Sequence, residues 1–203
     1  ELSTTNRRST GVVAGSQAYA PPSLPCSPAS SEKTTFFAEH PAAHNAPPTT
    51  ATMMYGHIEA DEDIIIHIES IRKLQDETNG FTAFVPWSFK PGNTPLEKII
   101  PHYATSTRYL QILAISRIYL DNFQHIQASW FSEGKKAGQI ALHFGADDFG
   151  GTLLEENVHA AANFINKTNT EEVIELIREA GFVPAQRTTL YEILKVYEKA
   201  EAA

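Results

Sequence analysis

The order of apolar and polar positions separates an unpatterned leader from a body with alternating short and long periods. Residues 1–39 are rich in Ser, Thr, Pro and Ala, and Pro21, Pro22, Pro25 and Pro28 break any element there. Such a stretch cannot bury a core, so it reads as a disordered or unrelated leader ahead of a body at 40–203. In the body, Thr50-Ala51-Thr52-Met53-Met54 reads as a strand, with Tyr55 to Glu59 as the loop at its carboxyl end. Asp61 then stands at a helix N-cap, and Ile64, Ile68, Ile71 and Leu74 fall on one helical face that Asn79-Gly80 stops. Phe81 to Val85 reads as the second strand, and Pro86, Pro91 and Gly92 shape a loop over 86–94. From Thr105 to Leu120 a helix with Ser106 or Thr107 as its cap is apolar nearly all round, which predicts cover on most sides.

The most organised stretch is Gln127–Asn157. Ile126 to Trp130 alternates as a half-buried third strand, and Ala137, Ile140, Ala141 and Phe144 mark a helix closed by Gly145. Asp147 to Thr152 then lead through Leu153-Leu154, the fourth strand, into a helix opened by Glu155-Glu156. Thr170 caps a further helix through Leu176, residues 183–187 form an extended link, and a last helix runs from about Thr189. Strand and helix alternate in the manner of a parallel α/β fold. Closing a (β/α) barrel takes roughly eight such units, or six in shorter relatives. About four units plus C-terminal helices therefore read as half a barrel, with strand edges that need cover.

Composition narrows the function classes. The chain has 203 residues, a formal net charge of −8 and 42% hydrophobic residues. An acidic chain is a poor partner for nucleic acid or an anionic membrane, and no apolar run reaches the ~18–20 residues of a membrane span. The one cysteine, Cys26, excludes an intrachain disulfide and a zinc cage of cysteines, and suits the cytoplasm.

Candidate chemistry lies where strands run out into loops. His57 and Glu59 read as a metal or acid/base pair, or as loop hydrogen bonds; no third ligand stands at useful spacing. Trp87 and Asn93 suit a flat ring with polar substituents, or plug a barrel mouth and brace a turn. Gln127 and Ser129 share one strand face, where inward polar groups need a partner. Asp147 and Asp148 precede Gly150-Gly151, as ligand contacts or turn formers, and Glu155 and Glu156 serve a ligand or the helix dipole. Walker, G-x-S-x-G, G-x-G-x-x-G and H-E-x-x-H motifs are absent. A metal hydrolase using His57, Glu59 and the two aspartates is a remote alternative.

Five segments together resemble one family: TTATMMYGHIE at 49–59, ESIRKLQDETNGFTAFVPWSFKPGNT at 69–94, LAISRIYLDNFQHIQASW at 113–130, GQIALHFGADDFGGTLLEENV at 138–158 and AGFVPAQRTTLYEIL at 180–194. They look like the C-terminal half of cyclic dehypoxanthinyl futalosine synthase (dehypoxanthine futalosine cyclase), a radical S-adenosylmethionine enzyme of the futalosine route to menaquinone. Aminofutalosine synthase and the deazaflavin (FO) synthase subunit share the general pattern, but PWSFKPGN and QASW…GADDFGGTLLEEN look most like the cyclase. The resemblance implies a radical-SAM-type barrel, a nucleoside substrate, and S-adenosylmethionine with a [4Fe–4S] cluster as cofactors. It also implies loops ringing the mouth that carry Tyr55, His57, Glu59, Trp87, Asn93, Gln127, Ser129, Asp148 and Glu155 as substrate or cofactor contacts. The cluster needs a C-x-x-x-C-x-x-C loop, and this chain has none. The expectation is a fragment that acts only with the missing N-terminal half or a reductant protein as partner, or else a non-catalytic remnant, behind a leader read from a wrong frame or gene model.

Overall fold

A computed structural model describes residues 48–92, 95–100, 103–152 and 165–198. Strand β1 (Thr49–Tyr55) leads through helix α1 (Asp61–Thr78) to β2 (Phe81–Ser88). After a 3-10 turn at Pro95–Lys98, helix α2 (Ser106–Tyr119) leads to β3 (His125–Ile126). The three strands are parallel and lie side by side in chain order. Sequential order with helical crossovers is the winding of an α/β arc. Ala51, Met53 and Tyr55 of β1, Phe84 of β2 and Ile126 of β3 share one core with Ile64, Ile68, Ile71, Tyr109, Ile112 and Leu113. Both helices therefore cover the same sheet face. Strand alternation sends Thr52, Met54, Val85 and Trp87 to the opposite, inner face.

Local sequence explains the element ends. Asp61 lies in the first turn of α1; the cap position falls one residue earlier, on Ala60. Asp63 accepts the Ala60 N–H at 3.0 Å and so replaces the missing cap side chain. Asn79 ends α1 in the left-handed region, as Asn79-Gly80 predicts. Thr105 caps α2 through Arg108 N–H, ahead of the two expected positions. Gln75 is a buried polar residue that periodicity does not reveal. Its amide accepts from Phe81 N–H at 2.9 Å and donates to Phe81 C=O at 3.1 Å, pinning the start of β2 to α1.

Several expectations are corrected. β2 continues through Pro86-Trp87-Ser88, read above as loop. The proline is tolerated because the ladder toward β3 ends at Phe84, so no bond is lost. Of the alternation at 126–130 only Ile126 lies in a strand, with His125 before it, and Trp130 opens a short helix, α3 (Trp130–Glu133). Helix α4 (Lys135–Ala141) buries Ala137, Gly138 and Ala141, leaving Ile140 and Phe144 largely exposed. Gly138 is the reason: a Cβ there would lie 2.7 Å from that of Trp130, so α4 rests on α3 through its smallest side chains. Helix α2 is not covered all round; Ile118 is 80% exposed.

In place of the fourth strand, the described residues hold a single parallel bridge, Gln127 to Asp148; Leu153-Leu154 and the Glu155-Glu156 helix start lie outside them. Helix α5 (Thr170–Glu179) follows as predicted, but its cap is Asn169, one residue before the expected Thr170. The last predicted helix is instead an antiparallel hairpin of β4 (Ala185–Arg187) and β5 (Ile193–Val196). Its β-branched Ile193 and Val196 favour a strand, and Tyr191 has a positive φ of 65° that no helix admits. Among the described residues the fold is thus a three-stranded parallel α/β sheet plus a hairpin, without closure into a barrel.

Candidate functional site

The carboxyl ends of β1 and β2 carry one polar cluster. Glu59 folds back on its own loop: Oε1 accepts from Gly56 N–H, Oε2 accepts from His57 N–H at 2.9 Å, and Oε2 lies 2.9 Å from His57 Nδ1. His57 Nδ1 also accepts Ile58 N–H at 2.7 Å. The pair thus acts first as a clamp on the loop after β1. Tyr55 is 1% exposed and its hydroxyl has no hydrogen-bond partner among the described residues. Burial, then the Glu133 carboxylate, pushes its pKa up, so it stays a neutral phenol.

Sequence reasoning missed the charged pair beside it. Glu133 Oε1 accepts Ser88 N–H at 2.9 Å, the Ser88 hydroxyl at 2.5 Å and the Ser132 hydroxyl at 2.8 Å. Lys90 Nζ lies 3.7 Å from the same oxygen and donates to Ser88 Oγ at 2.8 Å. Burial pulls the Lys90 pKa down against the Glu133 charge that raises it. Glu133 sits in a short helix between the predicted third strand and the helix marked by Ala137, a segment to which the sequence assigns no element, and this hid its approach to β2. Trp87 lies one residue before Ser88, on the inner face beside Met54.

Gln127 and Asp148 lie deeper. Gln127 follows Ile126, the partner of Phe84, and so is level with Val85 and Thr52. That is three residues, about 10 Å, short of Tyr55 and Ser88. Ser129 serves the scaffold: it is fully buried, its hydroxyl donates to Pro86 C=O at 2.5 Å and its N–H donates to the Tyr109 hydroxyl at 2.8 Å. Asn93 and Glu155 lie outside the described residues. Of the nine expected contacts, the structure gathers Tyr55, His57, Glu59 and Trp87 at the strand ends. Gln127 and Asp148 form a separate level.

Asp148 is held by the C-terminal hairpin. Oδ2 pairs with Arg187 Nη2 and accepts from the Tyr191 hydroxyl at 2.8 Å. Arg187 lies 3.8 Å above the Tyr191 ring, whose other contact is His125, centroids 3.7 Å apart and planes 3° from parallel. His125 Nδ1 in turn meets Asp147 Oδ2 at 2.6 Å, and Asp147 Oδ1 takes Arg117 Nη2 at 2.5 Å. Arg187 Nη1 donates to Thr188 C=O at 2.8 Å, while its Nε is buried with no acceptor among the described residues. A buried donor left unmade costs about 1–3 kcal/mol. This group borders a cavity of about 420 Å³ whose apolar lining includes Phe149, Ile174, Ile177, Phe182 and Ile193. Reading residues 189–197 as a helix conceals this cluster, since it scatters Arg187 and Tyr191.

Parallel strands in chain order, with polar groups at their carboxyl ends, define an α/β protein of the βα-repeat type. The chain belongs to the family of the CofH/MqnC C-terminal region, whose model matches residues 78–200. It is similar to cyclic dehypoxanthine futalosine synthase of Halalkalibacterium halodurans, 47% identical over 76% of this chain and 41% of the relative. The 5-amino-6-(D-ribitylamino)uracil--L-tyrosine 4-hydroxyphenyl transferase of Methanopyrus kandleri is 47% identical over 74% and 42%. Aminodeoxyfutalosine synthase of Thermus thermophilus is 39% identical over 80% and 45%. The chain thus spans about two fifths of the length of these relatives.

Proposed function

We propose that this chain is the substrate-side portion of a radical S-adenosylmethionine enzyme that cyclises dehypoxanthine futalosine on the way to menaquinone. The observation that carries the reading is the likeness to cyclic dehypoxanthine futalosine synthases over the segment that builds the strand-end cluster. In that reading Trp87 offers its ring to a flat part of the nucleoside on the inner face. Glu59 and Glu133 hold the two loops that flank it, so the substrate meets groups already fixed in place. Bound S-adenosylmethionine and a [4Fe–4S] cluster supply the radical chemistry in such an enzyme. Three thiolates hold that cluster. This chain has one cysteine, and no group of three or more His, Cys, Asp or Glu among the described residues could hold a metal ion. The residues present do not fit the cluster, and the chain's part is to bind and orient substrate.

The equal identity to the Methanopyrus transferase supports a second reading, a site for tyrosine and the ribitylaminouracil. Calorimetric titration of the 203-residue chain with each substrate set separates the two. Saturable binding of dehypoxanthine futalosine is expected, weakened at least about tenfold by Trp87→Ala. Preference for the tyrosine pair would overturn the cyclase reading, and no binding of either set would overturn both.

A further inference from the structure

We infer that the open edge of β1 is an interaction surface for a second copy of this chain, whose own β1 pairs with it antiparallel about a two-fold axis at Thr52. Among the described residues β1 ends the sheet, with β2 as its one strand neighbour. Thr49 N–H donates to Gly80 C=O and Phe89 N–H donates to Tyr55 C=O, so the odd-numbered residues of β1 turn their backbone groups toward β2. Alternation then turns those of Thr50, Thr52 and Met54 outward. A second contact agrees: the His67 ring of α1 hydrogen-bonds to the Thr52 backbone, whose carbonyl therefore does not belong to the ladder with β2. A row of outward backbone groups is a template for another strand. His67 covers one carbonyl of this row, and β1, TTATMMY, has no charge or proline to blunt the rest. Thr52 and Met54 are exposed.

The strand itself selects the occupant. Thr52 is the middle of Thr49–Tyr55, so full overlap of two such strands sets Thr52 opposite the Thr52 of the other copy and Thr50 opposite its Met54. All seven residues are uncharged, so no like charges are opposed, and threonines facing each other across strands attract. A two-fold axis normal to the sheet keeps the helices of both copies on one face. Because His67 stands level with Thr52, the two α1 helices then run antiparallel, with the acidic first turn of one, Asp61 to Asp63, toward the Lys73 end of the other. Opposite charges and opposed helix dipoles favour that arrangement. The contact uses the same surface on both copies and closes at two.

Sedimentation velocity of the 203-residue chain should show a monomer in exchange with a dimer. Thr52→Lys opposes two ammonium groups at the axis and Thr52→Glu two carboxylates, so each should raise the dissociation constant at least about threefold. Mixed in equal amounts, the two variants should form a mixed dimer tighter than either makes alone, which native mass spectrometry resolves by mass. A second measurement uses the unmodified chain and stands where a variant fails to fold, as judged by circular dichroism. Raising the concentration should slow hydrogen exchange at the amides of Thr50, Thr52 and Met54 and leave Ala51, Met53 and Tyr55 unchanged. A chain that stays monomeric at its highest soluble concentration overturns the inference, as does an assembly larger than two. So does a dimer indifferent to both charges and to their mixing, or one whose formation leaves the Thr50, Thr52 and Met54 amides exchanging as before.

Discussion

Ser88 gives both its backbone N–H and its hydroxyl to one carboxylate oxygen of Glu133, at 2.9 and 2.5 Å. The contact spans 45 residues and fastens the carboxyl end of β2 to the turn after β3. Glu133 is 3% and Lys90 17% exposed in their side chains, so the carboxylate is buried and the lysine largely so. Removing one partner of a buried pair strands the other. Glu133→Ala should therefore destabilise the fold by about 3–5 kcal/mol. Urea unfolding checks this, and a loss below about 1 kcal/mol would mean that Lys90 finds water.

Tyr55→Phe should act in the opposite sense. Its hydroxyl is buried with no partner among the described residues, so deleting it removes a desolvated group and none of their bonds. The midpoint of thermal unfolding should hold or rise. A clear fall would show that the hydroxyl makes a bond in solution.

Gly138→Ala should cost about 1–3 kcal/mol, the usual penalty of overpacking. The added methyl would meet Trp130 Cβ at 2.7 Å and Cα at 3.2 Å, and backbone cannot rotate away. The same substitution at Gly134 meets nothing within 4 Å, but there φ is +87°, so its cost is backbone strain alone. Chemical denaturation of the two variants separates packing from strain, since Trp130 fluorescence should change only in the first.

These elements show where the sequence is legible. Period-3.6 spacing finds α1, because Ile64, Ile68 and Ile71 have only one face to bury against. The same logic fails for α4, where α3 approaches closely enough that Gly and Ala, not Ile, take the buried side. β3 is misjudged in length because alternation cannot see that Ser129 N–H leaves the ladder for the Tyr109 hydroxyl. Partners distant in sequence are likewise invisible to local pattern: Glu133 for Ser88, and Arg187 and Tyr191 for Asp148. The family, in contrast, was legible from the motif segments alone.

His67 should give the fold an acid-sensitive margin. Burial lowers its pKa below the ordinary 6.5, with the Thr52 backbone opposing the shift. Between the folded value and 6.5 the unfolded chain binds more protons than the folded one. Stability therefore rises with pH through that window, is complete above it and is lost as pH falls. Urea midpoints measured from about pH 5 to 8 should climb in the native chain and flatten over that window in His67→Gln. Parallel slopes in the two proteins would exclude His67 as the source.

The hairpin of β4 and β5 meets Asp148 across 39 to 43 residues, whereas β1 and β2 pair through one helical crossover. β2 and β3 pair across 42 residues as well, Ala83 to His125, so the sheet and the hairpin contact close chain segments of about the same length. The Arg187–Tyr191 column therefore works as a long-range tie that is no costlier to close than a strand pair.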